Sequence, residues 1–210
     1  MRLDPSGLPF IVGAALLAVV AGVAAGWSFA LPFVVITAFF LFFFRDPDRL
    51  TPARDAGDAV LAPADGRVLV AGRAAASTAP PGEWQQISIF LSPIDVHVNR
   101  MPVSGRVTRV SFTRGRFLPA YRDHAAAVNE RSEIWIDHRG QTVVARQIVG
   151  ILARRVVCRV QSGVEVRAGD RFGIMKFGSR MDVFVPSSAT VVATVGQKVR
   201  GGETVIAMLH

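Results

Sequence analysis

The sequence reads Ala62-Pro63-Ala64-Asp65-Gly66-Arg67-Val68 in its first half and Val185-Pro186-Ser187-Ser188-Ala189-Thr190-Val191 near its C-terminal end. Each stretch places a proline before a turn and then enters a valine-containing run, which is typical of a turn followed by a β-strand. The second stretch continues into Gly196-Gln197-Lys198-Val199-Arg200-Gly201-Gly202, which adds a further turn and strand. These stretches predict a domain built from repeated strand-turn-strand units.

Short apolar runs separated by turn residues fill the rest of the chain beyond residue 45. The predicted strands are 59–61, 67–70, 87–91, 105–112, 134–136, 142–148, 155–160, 181–185, 190–195 and 204–208. No long stretch keeps a helical apolar period, and residues 120–129 are the best candidate for a helix or an irregular loop. We therefore predict a mostly β (α+β) domain, and its repeated units resemble the flattened barrel-sandwich of biotinyl and lipoyl carrier domains.

Residues 9–44 contain no charged side chain, whereas charges recur every few residues from Arg45 onward. A helix needs about 20 apolar residues to cross the hydrocarbon of a bilayer, and Gly26-Trp27-Ser28 divides the run into two slightly shorter segments. We therefore predict a tight hydrophobic helical hairpin with both ends cytoplasmic; a re-entrant or interfacial insertion is the alternative. Residues 1–44 form the expected membrane anchor and residues 45–210 the expected soluble domain.

The net charge of the chain is +8 at pH 7 and comes almost entirely from arginine. Either a compositional bias of the genome or attraction to a polyanion explains such a balance. The lipid-like segment favours an anionic membrane surface, and no zinc-finger or basic-arm pattern points to nucleic acid. Cys158 is the only cysteine, so neither an intrachain disulfide nor a cysteine metal cluster can form. It lies in an apolar run, which favours a small buried side chain.

Gly178 and Ser179 lie between two predicted strands, residues 171–176 and 181–185. Alone, a Gly-Ser pair is most often part of a turn. Other motifs accompany it in a fixed order at residues 43–47, 63–66, 92–102, 129–131, 147–150 and 153–155. In this order and spacing the motifs resemble those of the phosphatidylserine decarboxylase family over about residues 40–207. The match is to the short form, which also includes archaetidylserine decarboxylases.

The resemblance implies a proenzyme that cleaves itself between Gly178 and Ser179 and converts Ser179 into a pyruvoyl group. The products are a large subunit, residues 1–178, and a small subunit, residues 179–210. The pyruvoyl carbonyl then forms a Schiff base with phosphatidylserine and acts as the electron sink while carbon dioxide leaves, which yields phosphatidylethanolamine. The resemblance also implies a protein on the cytoplasmic face of the cell membrane that uses no metal, and it leaves room for a homo-oligomer.

These residue types suit that chemistry. A glycine leaves its carbonyl sterically open, and a serine hydroxyl is a weak nucleophile until a base removes its proton. The resemblance gives the base as His97 and its acidic partner as Asp65, with Asp95 as the substitute carboxylate. His124 is the reserve histidine.

One position departs from the long-form pattern, since Arg100 stands where those members carry a second histidine. His97 is therefore expected to serve both maturation and turnover, unless another group takes one of the two roles. Asn129 and Glu130 either line the substrate pocket or form a polar turn before the next strand. His138 is expected in a solvated turn at residues 137–140.

Two other functions compete with this interpretation. Ile174-Met175-Lys176-Phe177 is similar to the Met-Lys-Met of biotinyl carrier modules, in which the lysine lies at an exposed hairpin tip. Here the run is too apolar for a tip, and Gly178 follows at once. The second competitor is an inactive membrane-anchored β domain, which predicts an uncleaved chain. The sequence does not distinguish phosphatidylserine from archaetidylserine as substrate.

Overall fold

The computed structural model describes residues 2–51, 57–122, 124–151, 156–176 and 178–210. The chain divides into two compact units at the junction of Asp48 and Arg49. The first unit holds the apolar segment, and the second holds every motif described above from residue 63 onward.

The first unit consists mainly of two consecutive apolar helices, α1 (Leu8–Ala25) and α2 (Trp27–Phe43), which form an antiparallel hairpin. They are separated by Gly26, whose φ of 95° lies in the left-handed region that glycine tolerates. The helices contact each other; the rings of Phe10 and Phe40, for example, are 5.6 Å apart. The predicted break in the apolar run is therefore present. Short strands β1 (Arg2–Leu3) and β2 (Arg45–Asp46) pair at the open end of the two helices.

The length and composition of one helix in this unit suit a membrane span. Residues 5–25 form a helical stretch that is long and apolar enough to cross a bilayer, and α2 is shorter. Most of the apolar side chains on both helices are exposed. An exposed apolar surface of this kind is typical of a segment that contacts lipid.

The second unit is mostly β, as predicted. Its strands are β3 (Ala59–Leu61), β4 (Gly66–Arg73), β5 (Trp84–Leu91), β6 (Val98–Arg100), β7 (Gly105–Thr113), β8 (Arg131–His138), β9 (Gln141–Ile148), β10 (Val156–Cys158), β11 (Glu165–Val166), β12 (Arg171–Met175), β13 (Ser179–Pro186), β14 (Thr190–Val191), β15 (Lys198–Val199) and β16 (Val205–Met208). One short helix, α3 (Ala125–Val128), falls within the region predicted as helix or loop.

A curled eight-stranded sheet forms the centre of this unit, in the order β11-β7-β8-β9-β13-β5-β4-β15. Two three-stranded sheets accompany it, ordered β10-β12-β6 and β14-β16-β3. The strand pairs are antiparallel, so short turns join many neighbours. Strand β13 lies between β5 and β9 and is hydrogen-bonded on both sides.

Both faces of β13 are buried, and they carry different kinds of side chain. Because side chains alternate along a strand, Met181, Val183 and Val185 point into the apolar core with Ile89 and other branched residues. Arg180 and Asp182 lie on the opposite face and are also almost fully buried. Ser179, at the start of the strand, shares the face of Met181.

The expectation that His138 lies in a solvated turn is wrong. His138 ends strand β8, is 7% exposed and places Nδ1 2.6 Å from the carbonyl oxygen of Ser104. The turn begins one residue later and contains only Arg139 and Gly140, both with positive φ. A two-residue turn of this kind matches the twist of a hairpin, so β8 extends further than its apolar residues indicate.

Candidate active site

Ser179 is a fully buried serine at the beginning of β13. Within the described part of the chain, its Oγ has no hydrogen-bond partner. Leaving a buried hydroxyl unpaired costs about 1–3 kcal/mol, so such a group calls for an explanation. A hydroxyl held for reaction rather than for stability is one explanation.

The residue before it, Gly178, has a φ of 68°, in the left-handed region. The backbone of Gly150 lies directly against its carbonyl: a Cβ added to Gly150 would be 1.8 Å from the Gly178 oxygen. Only a glycine fits at position 150 without displacing that carbonyl. Two glycines therefore determine the conformation of the peptide bond that precedes Ser179.

His97 is fully buried immediately before β6, and its Nδ1 lies 2.9 Å from the carbonyl oxygen of Asp95. Because a carbonyl can only accept a hydrogen bond, Nδ1 carries the proton in this contact. In the neutral ring, Nε2 is then the basic nitrogen. The His97 carbonyl accepts from the Met175 N–H at 3.2 Å, which ties this histidine to β12, the strand that precedes Gly178.

Asp65 lies in the turn before β4 and is held by two groups. Its carboxylate accepts from Arg49 Nη2 and from the Gly201 N–H, each at 2.7 Å. Burial raises the pKa of Asp65, and the bonds to Gly201 and Arg49 oppose that rise, while the charge of Asp95 adds to it. The hydrogen bonds of Asp65 in the described structure thus go to these partners rather than to the imidazole of His97.

Asp95 contributes its backbone to the site and its side chain to a turn. Its Oδ2 accepts from the Ser92 N–H at 2.8 Å, and its own N–H donates to the Ser92 carbonyl at 2.9 Å. This turn presents the Asp95 carbonyl to His97. The hydrogen bond at His97 Nδ1 thus goes to a main-chain oxygen and not to either carboxylate considered as an orienting group.

Sequence reasoning assigned no role to Asn99 or Gln147, although both lie in motifs that it identified. Gln147 Nε2 donates to Asn99 Oδ1 at 2.8 Å, and both side chains are fully buried. Gln147 lies opposite Met181 in the β9–β13 pair, whereas Asn99 belongs to β6. This bond links the strand after His97 to the sheet that carries Ser179. The signal available in the sequence was that both amide side chains lie within the motifs at residues 92–102 and 147–150.

Asn129 and Glu130 shape the backbone beside the site. Asn129 Nδ2 donates to the carbonyls of Leu118 and Val149, both at 2.8 Å, and its Oδ1 accepts from the Leu118 N–H at 3.1 Å. The Glu130 carbonyl accepts from the Val149 N–H at 3.1 Å. The pair therefore fixes the segment that places Gly150 against the Gly178 carbonyl.

An apolar cleft of about 370 Å³ reaches Gly178. Its described lining residues are Phe90, Pro93, Pro119, Ala120, Tyr121, Ile151 and Gly178. Tyr121 and Ile151 are more than half exposed, so the apolar lining continues to the surface. A cleft with this lining fits an apolar or amphipathic molecule better than a charged one.

The remaining candidates lie elsewhere or serve other purposes. Arg100 is buried and donates from Nη1 to the Gly169 carbonyl at 3.1 Å. His124 lines a different cleft, described below. Lys176 is half-buried between β12 and Gly178 rather than at a hairpin tip. Phe177 and residues 153–155 of the motifs lie outside the described residues.

We predict that Asn129→Ala destabilises the protein because it leaves backbone groups of Leu118 and Val149 without their bonds. Each buried group left unpaired costs about 1–3 kcal/mol, so the melting temperature in detergent should fall by about 4 °C or more. Gln161→Ala, a truncation of an exposed amide, is the control and should change nothing. An unchanged melting temperature with a raised KM would instead identify Asn129 as a direct substrate contact.

Sequence comparisons identify relatives of the whole chain. The sequence model of the phosphatidylserine decarboxylase family matches residues 36–207. A phosphatidylserine decarboxylase proenzyme of Nitrosomonas europaea is 42% identical over 205 residues, covering 97% of this chain and 94% of the relative. Proenzymes of the same name from Granulibacter bethesdensis and Geobacter metallireducens are 43% and 40% identical, covering 98% and 97% of this chain and 84% and 94% of the relatives. As the order of its motifs predicted, this chain belongs to the phosphatidylserine decarboxylase family.

Proposed function

We propose that this chain decarboxylates phosphatidylserine to phosphatidylethanolamine and carbon dioxide with a pyruvoyl group made from its own Ser179. The observation that carries the proposal is the buried, unbonded Ser179 hydroxyl next to a left-handed Gly178 in a member of this family. No feature of the described structure favours a carrier module, and Lys176 lacks the exposed hairpin position that such a module needs.

Maturation uses two adjacent residues of the chain. The Oγ of Ser179 attacks the Gly178 carbonyl carbon, and the peptide bond is replaced by an ester as the nitrogen leaves. β-Elimination then removes the Ser179 α-proton and breaks the Cβ–O bond, which releases Gly178 as a carboxylate. The dehydroalanine that remains takes up water and loses ammonia, which gives the pyruvoyl end of the small subunit, residues 179–210.

His97 acts as the base for this step through Nε2, because Nδ1 holds its proton against the Asp95 carbonyl. A positioned base is needed since a neutral serine hydroxyl is a poor nucleophile. During turnover the same imidazole returns a proton to the substrate carbon from which carbon dioxide departs. Asp65 is a positioning residue in this scheme: it secures the turn at residues 63–66, whose Pro63 carbonyl accepts from the Arg100 N–H at 2.8 Å.

The pyruvoyl carbonyl supplies an electrophile for the substrate amine and a sink for the electrons left by decarboxylation. The apolar cleft at Gly178 receives the lipid next to residue 179. Asn129 and Glu130 contribute to the substrate site indirectly, because their hydrogen bonds to Val149 hold the wall that contains Gly150. The apolar helices of the first unit hold the enzyme on the cytoplasmic face of the cell membrane, and the positive net charge favours its anionic surface.

We expect purified protein to run as two chains on a denaturing gel, residues 1–178 and residues 179–210. The small chain should resist N-terminal sequencing and gain one phenylhydrazine adduct by intact mass, because its first residue carries a ketone instead of an amine. Ser179→Ala should stay a single, inactive chain, whereas Ser187→Ala, which alters an exposed serine, should cleave normally. Wild-type protein that stays uncleaved while it decarboxylates its lipid would sink the proposal.

Gly150→Ala should slow self-cleavage by about 100-fold, because its methyl group has to displace the Gly178 carbonyl. A misplacement of about 1 Å at a reacting group can cost this much. Gly13→Ala adds the same methyl group where no atom lies within 4 Å and should cleave at the wild-type rate. Gel time courses during cell-free synthesis measure both rates; prompt cleavage of Gly150→Ala would contradict the described position of the carbonyl.

His97→Ala should slow cleavage by about 100- to 10,000-fold, the usual contribution of a general base. His138→Ala is a matched control, because His138 is also buried and also places Nδ1 against a backbone carbonyl. Both variants lose comparable packing, so both should melt at a lower temperature, but only His97→Ala should cleave slowly. Equal slowing of the two variants would show that lost packing, rather than a lost base, causes the effect.

A further inference from the structure

The face of β13 opposite to Ser179 carries a buried ionic network. Arg180, which is 3% exposed, donates from Nε to Asp182 Oδ1 at 2.6 Å and from Nη2 to Ser88 Oγ at 2.9 Å. The second oxygen of Asp182 accepts from Gln86 Nε2 at 3.2 Å. Within the described chain, Nη1 of Arg180 is buried and has no hydrogen-bond partner.

Positive charge exceeds negative charge on this face. Arg146 Nε lies 2.9 Å from Glu133 Oε1, and Arg131 Nε lies 3.4 Å from the same oxygen. Together with Arg180 and Asp182, three buried or half-buried guanidinium groups thus share two carboxylates, and the exposed Arg109 also lies 3.9 Å from Glu133 Oε2. Burial lowers the pKa of Arg146, even though the charges of Glu133 and Asp182 act in the opposite direction. A buried excess of charge is costly unless a counter-charge occupies the site.

A cleft of about 640 Å³ opens beside this network. Its polar lining consists of Arg73, Ser77, Thr78, Gln86, His124 and Arg180, and none of the described residues that line it is acidic. Guanidinium groups with nearby hydroxyls are the donors that bind phosphate oxygens in proteins. Among its described lining residues the cleft therefore offers donors, positive charge and space, and the carboxylate nearest to them, that of Asp182, is already bonded to Arg180 and Gln86.

We propose that this cleft is a binding site for a phosphate-type oxyanion, with Arg180 Nη1 as the buried donor and Arg73 at the rim. The phosphate group is carried either by the head group of a lipid or by a free phosphate ion. If the lipid is the substrate itself, this assignment rests on the proposed function. Arg180 directly follows Ser179 in the chain, and the cleft lies on the opposite face of the same strand.

Binding is measured on the uncleaved Ser179→Ala chain, so the result does not depend on maturation or on decarboxylation. Titration with inorganic phosphate at constant ionic strength should give saturable binding by calorimetry. Arg180→Gln should raise the Kd by about tenfold, as expected for one charge-assisted donor pair. Because Arg180→Gln also breaks a buried ion pair and can unfold the chain, Arg73→Gln combined with Ser77→Ala is the second variant and should raise the Kd by about threefold.

Arg106→Gln, which removes an exposed arginine from β7, is the charge-matched control and should leave the Kd unchanged. Lack of saturable phosphate binding, or an equal loss in Arg106→Gln and in the Arg73/Ser77 variant, would overturn the assignment. The source of the phosphate follows from kinetics of cleaved protein with dihexanoyl phosphatidylserine. If phosphate inhibits competitively and the variant with Arg73→Gln and Ser77→Ala raises the KM at constant kcat, the phosphate belongs to the substrate head group. If phosphate binds without competing with the lipid, the site takes a separate phosphate.

Discussion

The pairing of β13 with β5 and β9 is the constraint on which the site depends. Strands on both sides fix the register of β13, so its first residue, Ser179, cannot shift without breaking two ladders. The alternation of the strand then separates two kinds of chemistry. One face carries Ser179 and the apolar core, and the other carries Arg180 and its buried ion pairs. A slip of one residue would exchange the two faces and place a guanidinium in the core.

The histidine of this site is oriented differently from that of a Ser-His-Asp triad. In the triad a carboxylate accepts from Nδ1 and stabilises the imidazolium, whereas here the Asp95 carbonyl accepts. A carbonyl fixes the same tautomer but adds no full charge to a site that already contains Asp65 and Asp95. The Asp65 carboxylate is compensated by Arg49 and by the Gly201 N–H. Arg100 fills the position of the long-form histidine and bonds to backbone instead.

The sequence predicted the features that depend on residues close together in the chain, such as strands and helix ends. Valine-rich runs after Pro63 and Pro186 predicted the strands, and Gly26-Trp27-Ser28 predicted the break between the helices. Contacts between distant segments were beyond such reasoning. The Asn99–Gln147 bond joins strands of two sheets, and neither residue carries a local signal of its partner. The burial of Arg180 was equally hidden, because arginine and aspartate side chains, such as those of Arg180 and Asp182, are usually exposed to solvent. His138 was wrongly expected in a turn because residues 137–140 are all turn-forming or polar. The turn itself contains only Arg139 and Gly140, so His138 still belongs to the strand.

The same architecture would hold the two fragments of the proposed cleavage together as one enzyme. Residues 179–210 contain β13, β14, β15 and β16, and three of these strands pair with strands that precede the cut. Strand β13 pairs with β5 and β9, β15 with β4, and β16 with β3. The side chains of Met181, Val183 and Ile206 are fully buried in the shared core. Dissociation would expose these apolar groups and leave a central gap in the sheet, whereas cleavage breaks one covalent bond at the end of a strand. After the proposed cleavage, noncovalent packing would therefore keep residue 179 in the place that the serine occupies in the uncut chain.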